Sequence, residues 1–289
     1  MRRIRCTRVF LGALLLAFTV GAADPVKLDG TVVQGALLIG HAEPGSKVWH
    51  DGRRMPVAPD GRFLIGIPYN APPFTEIKVE SPKGEMGATS LLVAARRYEI
   101  EKIDNLPPSQ VTPDAETLKR ISAERVELEH ALTARTMTPM FDRPFRWPVT
   151  GIVTGVYGST RVLNGEPRSP HLGVDVTAAE GTPIVAPTEG VVALVADYFF
   201  TGNTVVIDHG YGLTSLYAHL SRVTVKVGDH IAQGGVIGLM GATGRATGPN
   251  LHWGVDLSGV ALDPALLAGP MPKAKEPGSG DSGGPEKTQ

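Results

Sequence analysis

Residues 190–220 read GVVALVADYFFTGNTVVIDHGYGLTSLYAHL. Three apolar runs, Gly190–Val195, Thr204–Asp208 and Leu213–Leu220, alternate with short breaks, and each has strand length rather than helix length. The same texture extends outward over about Phe145 to Ala268. Thr182–Val185, Val236–Met240 and His252–Leu257 are further short strands, Pro, Gly and β-branched residues dominate, and no long amphipathic helix interrupts them. This predicts an all-β domain over residues 145–270.

Upstream, residues 24–97 alternate short apolar stretches with turn signals. Ala36–Gly40, Lys47–His50 and Arg62–Gly66 are separated by Pro44-Gly45, Asp51-Gly52 and Asp60-Gly61, and Pro82-Lys83-Gly84 follows. That spacing predicts a small N-terminal β-sandwich. Residues 98–144 read as a linker carrying one helix, about Pro113 to Arg135, opening at Thr112-Pro113-Asp114. Leu118, Ile121, Val126, Leu128 and Leu132 recur at roughly helical spacing, so the helix is expected to lie on a neighbour. The 271–289 tail of Gly, Ser, Pro, Lys and Glu is expected to be disordered.

Residues 1–23 carry four arginines, a short apolar run from Val9 to Val20 and small residues at Gly21-Ala22-Ala23, the pattern of a cleaved secretory signal. The run is short for a membrane anchor, and no later segment is expected to span a bilayer. Signal removal takes Lys+Arg from 28 to 24 against 29 Asp+Glu, a net charge of −5. That balance disfavours nucleic acid as a partner. The single cysteine, Cys6, leaves with the signal, so no disulfide is expected. The expected location is the periplasm or cell envelope.

Three segments of the C-terminal domain carry metal-type residues: Pro170-His171-Leu172-Gly173-Val174-Asp175, Leu216-Tyr217-Ala218-His219-Leu220 and Gly248-Pro249-Asn250-Leu251-His252-Trp253-Gly254. On a straight strand His171 and Asp175 would stand about 13 Å apart, too far for one metal ion. The chain must therefore bend between them, and Gly173 is the natural place. Strand alternation puts Asn250 and His252 on one face, and Tyr217 and His219 on one face. Two histidines and one carboxylate leave a fourth metal position open, the pattern of a catalytic zinc rather than a closed structural one. His219 is then the nearby base or a donor to a developing oxyanion. His209, at a strand end, reads as structural, and His230 as exposed. No role falls to His41, His50 or His130.

These segments, with Val185-Ala186-Pro187, Gly190-Val191-Val192, Asp208-His209-Gly210-Tyr211-Gly212, Val227-Gly228-Asp229 and Thr243-Gly244, resemble the lysostaphin/LytM-type zinc endopeptidases over about Trp147 to Leu266. The resemblance implies a compact antiparallel β domain with zinc in a groove, one ion per chain held by His171, Asp175 and His252. It also implies a catalytic role for His219, with peptidoglycan as the substrate. One position departs. The family ends in His-x-His, and here the first of the pair is Asn250, which can hydrogen-bond a carbonyl but cannot take a proton at neutral pH. The departure leaves a second expectation, a weak or inactive member that binds and activates cell-wall amidases. The resemblance does not choose the bond that is cut. Nor does it say whether the N-terminal part binds wall, binds a partner or covers the groove.

Overall fold

The computed structural model describes residues 26–103, 114–163 and 166–272. The expected signal segment with Cys6, the Thr112-Pro113 start of the helix and nearly all of the 271–289 tail lie outside the described residues.

The N-terminal part contains β1 (Lys27–Asp29), β2 (Leu37–His41), β3 (Lys47–His50), β4 (Arg53–Met55), β5 (Arg62–Gly66), β6 (Phe74–Glu80) and β7 (Met86–Leu92). They make a three-stranded sheet, β1-β2-β5, and a four-stranded sheet, β4-β3-β6-β7. Alternation decides the faces. In β6, Thr75, Ile77 and Val79 point inward while Phe74 and Lys78 point out. Leu38, Phe63 and Ile65 of the first sheet meet Val48, Ile77 and Leu91 of the second in one core.

The stretch read as linker holds more than a helix. β8 (Ile100–Ile103) pairs in parallel with β10 (Thr160–Leu163), which also pairs with β11 (Glu166–Pro170). The helix α1 spans Ala115–Leu132, and its cap is Asp114, not the Thr112 position, because the Asp114 carboxylate accepts the Thr117 N–H at 2.8 Å. Only part of the expected apolar stripe is used. Leu128, Ala131 and Leu132 pack on the sheet, whereas Leu118 and Val126 face solvent.

The C-terminal part adds β9 (Ile152–Gly155), β12 (Val174–Thr177), β13 (Pro183–Val185), β14 (Gly190–Tyr198), β15 (Gly202–Asp208), β16 (Leu213–Leu220), β17 (Arg222–Val223), β18 (His230–Ile231), β19 (Val236–Leu239), β20 (Leu251–Leu257) and β21 (Val260–Leu262), then the short helix α2 (Pro264–Ala268). The central sheet runs β18-β14-β15-β16-β20-β12-β9, with β21 beside β20, and all of its pairs are antiparallel. The fold is mostly β, as the sequence predicts. One face of the sheet carries Tyr217, Trp253, Val205 and Ile207 into the main core. The other carries Leu194, Leu216 and Ala218, which α1 covers in part. Where α1 stops, that second face opens, and His252 stands on it opposite Ala218.

Candidate metal centre

The chain leaves the β10–β11 sheet at Pro170 and joins the central sheet at Val174, with a bend at Gly173. The bend is the one that the His171/Asp175 spacing demands. A side chain at Gly173 would put its Cβ 2.6 Å from the His252 ring and 2.7 Å from the Trp253 carbonyl oxygen, so the position admits only hydrogen. Gly155 makes the matching gap on the other side. It lies opposite Asp175 across the β9–β12 pair, and a Cβ there would meet the Asp175 carboxylate at 2.6 Å.

His171, Asp175 and His252 come together. His171 Nε2 is 3.1 Å from Asp175 Oδ1 and 3.0 Å from His252 Nδ1, and His252 Nδ1 is 2.9 Å from Asp175 Oδ1. Three ligands of a tetrahedral ion, each about 2.0–2.1 Å from it, stand about 3.3 Å apart, so the triangle has close to the size of a metal site. The hydrogen bonding of His171 points the same way. His171 Nδ1 donates to the Val156 carbonyl at 3.2 Å, which leaves Nε2 as a bare lone pair facing the other two acceptors. Lone pairs converging on one point repel unless a proton or a metal cation lies between them. Burial by itself would raise the Asp175 pKa, but the contacts with His171 and His252 outweigh it and hold the carboxyl far below the usual carboxylate range. The residues present therefore fit a metal ion, and this is the one such His/Asp/Glu/Cys group found among the described residues.

His219 reaches this centre by a route that alternation does not predict. Tyr217 lies opposite Trp253, on the core side of the sheet, and is fully buried. Strict alternation would send His219 there too. Instead, β15 pairs Asn203 with Leu220 and Val205 with Tyr217, so two residues, Ala218 and His219, oppose one. His219 has φ of 65°, a conformation that costs a non-glycine residue energy and recurs at functional sites. The bulge separates His219 from Tyr217 and takes it off the core side of the sheet, the side that carries Tyr217 and Leu220. The expectation that Tyr217 and His219 share a face is thus overturned. Two loop carbonyls hold the bulge. Thr201 O accepts the His219 backbone N–H, and Thr243 O accepts His219 Nδ1–H, both at 2.8 Å. Nε2 consequently carries a lone pair, and burial keeps the ring's pKa below its ordinary value, so His219 is neutral and basic near pH 7.

Asn250 bridges to Gly241 through its backbone and shares the strand face of His252. Its side-chain Oδ1 is buried and has no hydrogen-bond partner among the described residues. A buried carbonyl left without a partner costs about 1–3 kcal/mol, a debt that a bound water or substrate removes. His209 lies apart from the centre, fully buried, donating through Nδ1 to Glu189 O at 2.6 Å and accepting from Ser215 Oγ at 2.7 Å. His230 is exposed beside Glu189. Sequence reasoning gave no role to Thr243, Thr201 or the Val156 carbonyl. Thr243 lay inside a quoted motif, while a backbone carbonyl leaves no signal in residue identity.

A crystal structure described as a putative peptidase M23 from Pseudomonas aeruginosa shares 31% identity with this chain, superposes with a TM-score of 0.65, and covers 83% of this chain and 96% of its own. The chain belongs to peptidase family M23. The family model matches residues 169–264, which include all three residues of the triangle together with His219 and Asn250. Among curated M23-like relatives, "Peptidoglycan DD-endopeptidase ShyA" of Vibrio cholerae is 42% identical over 103 residues, 36% of this chain and 24% of that protein. "DD-carboxypeptidase/endopeptidase Mpg" of Neisseria meningitidis is 40% identical over 103 residues, with the same coverages. The matched region thus spans about a quarter of each relative's length.

Proposed function

We propose that this M23 peptidase is a secreted zinc endopeptidase that hydrolyses peptide bonds in bacterial peptidoglycan, acting in the periplasm or cell envelope. The observation that carries the reading is the triangle of His171, Asp175 and His252 donor atoms, 2.9–3.1 Å apart, with the His219 lone pair beside it. Relatives named for peptidoglycan endopeptidase activity support the substrate class. The arginine-led apolar start supports export, and no helix among the described residues is long and apolar enough to cross a membrane. The joined ligand triangle favours an enzyme over an amidase activator, which has no need of it.

One zinc ion per chain, held by His171, Asp175 and His252, would polarise the scissile carbonyl and lower the pKa of an attacking water. His219 Nε2 accepts the proton from that water and returns it to the leaving amine. Its neutral state near pH 7 suits the first transfer, and the bulge fixes its aim. Asn250 does not move protons. Its Nδ2–H donates to the reacting carbonyl oxygen, and its buried Oδ1 accepts from the attacking water or a substrate N–H.

Purified protein incubated with sacculi is expected to release muropeptides, detected by mass spectrometry, and a chelator should stop the release. His219→Ala should lower turnover by about 10²-fold or more while zinc content stays at one per chain. Asn250→His should hold or raise activity. If wild type and Asn250→His are both inert on sacculi with zinc bound, the endopeptidase reading fails.

A further inference from the structure

A cavity of about 740 Å³ opens from His252 along the uncovered face of β20. Its floor is the inward-alternating series His252, Gly254, Asp256. One wall comes from Tyr69 and Asn70 in the loop after β5, the other from Leu132 and Glu129 at the end of α1. Gly254 leaves the floor open between the two functional side chains, since a Cβ there would have nothing closer than 3.7 Å.

Asp256 is the anomaly in this cavity. Its residue surface is 9% exposed, and its Oδ1 accepts the Gly259 N–H at 2.6 Å. Among the described residues no Lys, Arg or His pairs with it. A carboxylate so placed carries a desolvation cost with no internal cation to offset it. The second acid of the lining, Glu129, is exposed and paired with Arg125 at 3.3 Å, so the unpaired negative charge of the cavity is that of Asp256, and apart from His252 no lining residue is basic. The cavity therefore offers an apolar trough with a negative far end.

We propose that this cavity is a substrate subsite, and that Asp256 binds an aliphatic ammonium carried on the peptide a residue or two from the cleaved bond. The proposal rests on the endopeptidase reading above. The spacing suits it. Four residues of strand separate His252 from Asp256 by about 13 Å, which two extended peptide residues and one long amino-bearing side chain cover. Tyr69 and Leu132 flank the apolar stem of such a side chain, and the ammonium takes the place of the cation that Asp256 lacks. A diamino-acid residue in a wall peptide has this chemistry.

The test uses the zinc-loaded full chain and two synthetic peptides identical except that one side-chain amine is free in the first and acetylated in the second. The free amine should give a kcat/KM higher by about tenfold or more, as expected of a hydrogen-bonded, partly desolvated charge. Asp256→Asn should bring the two peptides to the same value by raising KM for the free amine. Binding of the same pair to metal-free wild-type protein, followed by calorimetry, should show the same order of affinity without turnover. The wild-type comparison stands even if the variant does not fold. Equal kcat/KM and equal affinity for the two peptides would overturn the subsite while leaving the peptidase reading intact. Failure to cut either peptide, with the affinity order preserved, would instead overturn the peptidase reading and keep the subsite.

Discussion

Asp256 and His209 are both buried titratable side chains, and they load the fold in opposite directions. Burial pushes Asp256 up to about 6 from 3.8, with the Gly259 N–H opposing. Between about pH 4 and 6 the native chain holds a proton that the unfolded chain has released, so stability falls as pH rises through that window and the penalty remains above it. A shift of about two units corresponds to about 3 kcal/mol as an upper bound. Asp256→Asn should therefore raise the thermal midpoint at pH 7.5 and change it little at pH 4. A midpoint lowered at pH 7.5 would show that the carboxylate is paired in solution. His209 does the reverse. Burial pulls it down to about 4 from 6.5, so its contribution is present above pH 6.5 and is lost as pH falls toward 4. In wild type the two slopes partly cancel. In Asp256→Asn the opposing slope is gone, so stability measured by denaturant titration should drop more steeply between pH 6.5 and 4, through His209 together with His50 and His219, which burial also pulls down. A residue kept charged at a cost to stability is what a binding role for Asp256 requires.

At the scale of elements, the candidate metal centre and its proposed base depend on one bend and one bulge, and only the bend was legible in the sequence. The His171–Asp175 spacing cannot meet one ion without a break, and Gly173 marks the break by residue type. Strand positions were legible for the same reason. Short valine-rich runs between turn residues follow local rules, and Leu213–Leu220 and Arg62–Gly66 were read as they stand. The Ala218–His219 bulge was not legible, because an extra residue in a strand is decided by its partner β15 and by the Thr201 and Thr243 carbonyls, which are distant in sequence. β8 escaped for a similar reason, since its parallel partner lies some sixty residues on. The bend can be tested apart from catalysis. Gly173→Ala forces a methyl group into the His252 ring and the Trp253 carbonyl, neither of which is free to move. It should lower zinc affinity by about 10–100-fold in a chelator competition, with the circular dichroism of the sheet retained. Unchanged affinity would mean that His252 is not a ligand in the position described.

Across the whole molecule, the N-terminal sheets are fastened to the catalytic sheet by a charge placed inside an aromatic stack. Arg96 Nη1 lies 2.7 Å from Asp263 Oδ2, whose side chain is almost fully buried, and the guanidinium lies over the rings of Tyr98 and Tyr157. Tyr98 in turn donates to the carbonyl of Tyr69, the residue that walls the cavity beside His252. Asp263 also caps α2 through the Ala265 N–H and bonds Gly35 through its own backbone N–H. One ion pair thus connects the core, the last helix and the wall of the proposed subsite. Arg96→Ala should destabilise by about 3 kcal/mol in denaturant unfolding, because it leaves a buried carboxylate without its cation. The cause can be separated from the loss of packing by a second substitution. If the stranded charge dominates, adding Asp263→Asn should recover much of the loss, since the neutral amide can still accept the Ala265 N–H. If the double variant is no more stable than Arg96→Ala, the guanidinium acts chiefly through the Tyr98 and Tyr157 rings, a contribution of about 0.5–2 kcal/mol for cation–π contacts. In either case the single variant should admit protease between the N-terminal sheets and residue 145 at concentrations that leave wild type intact, because the fastening is lost before either core is exposed.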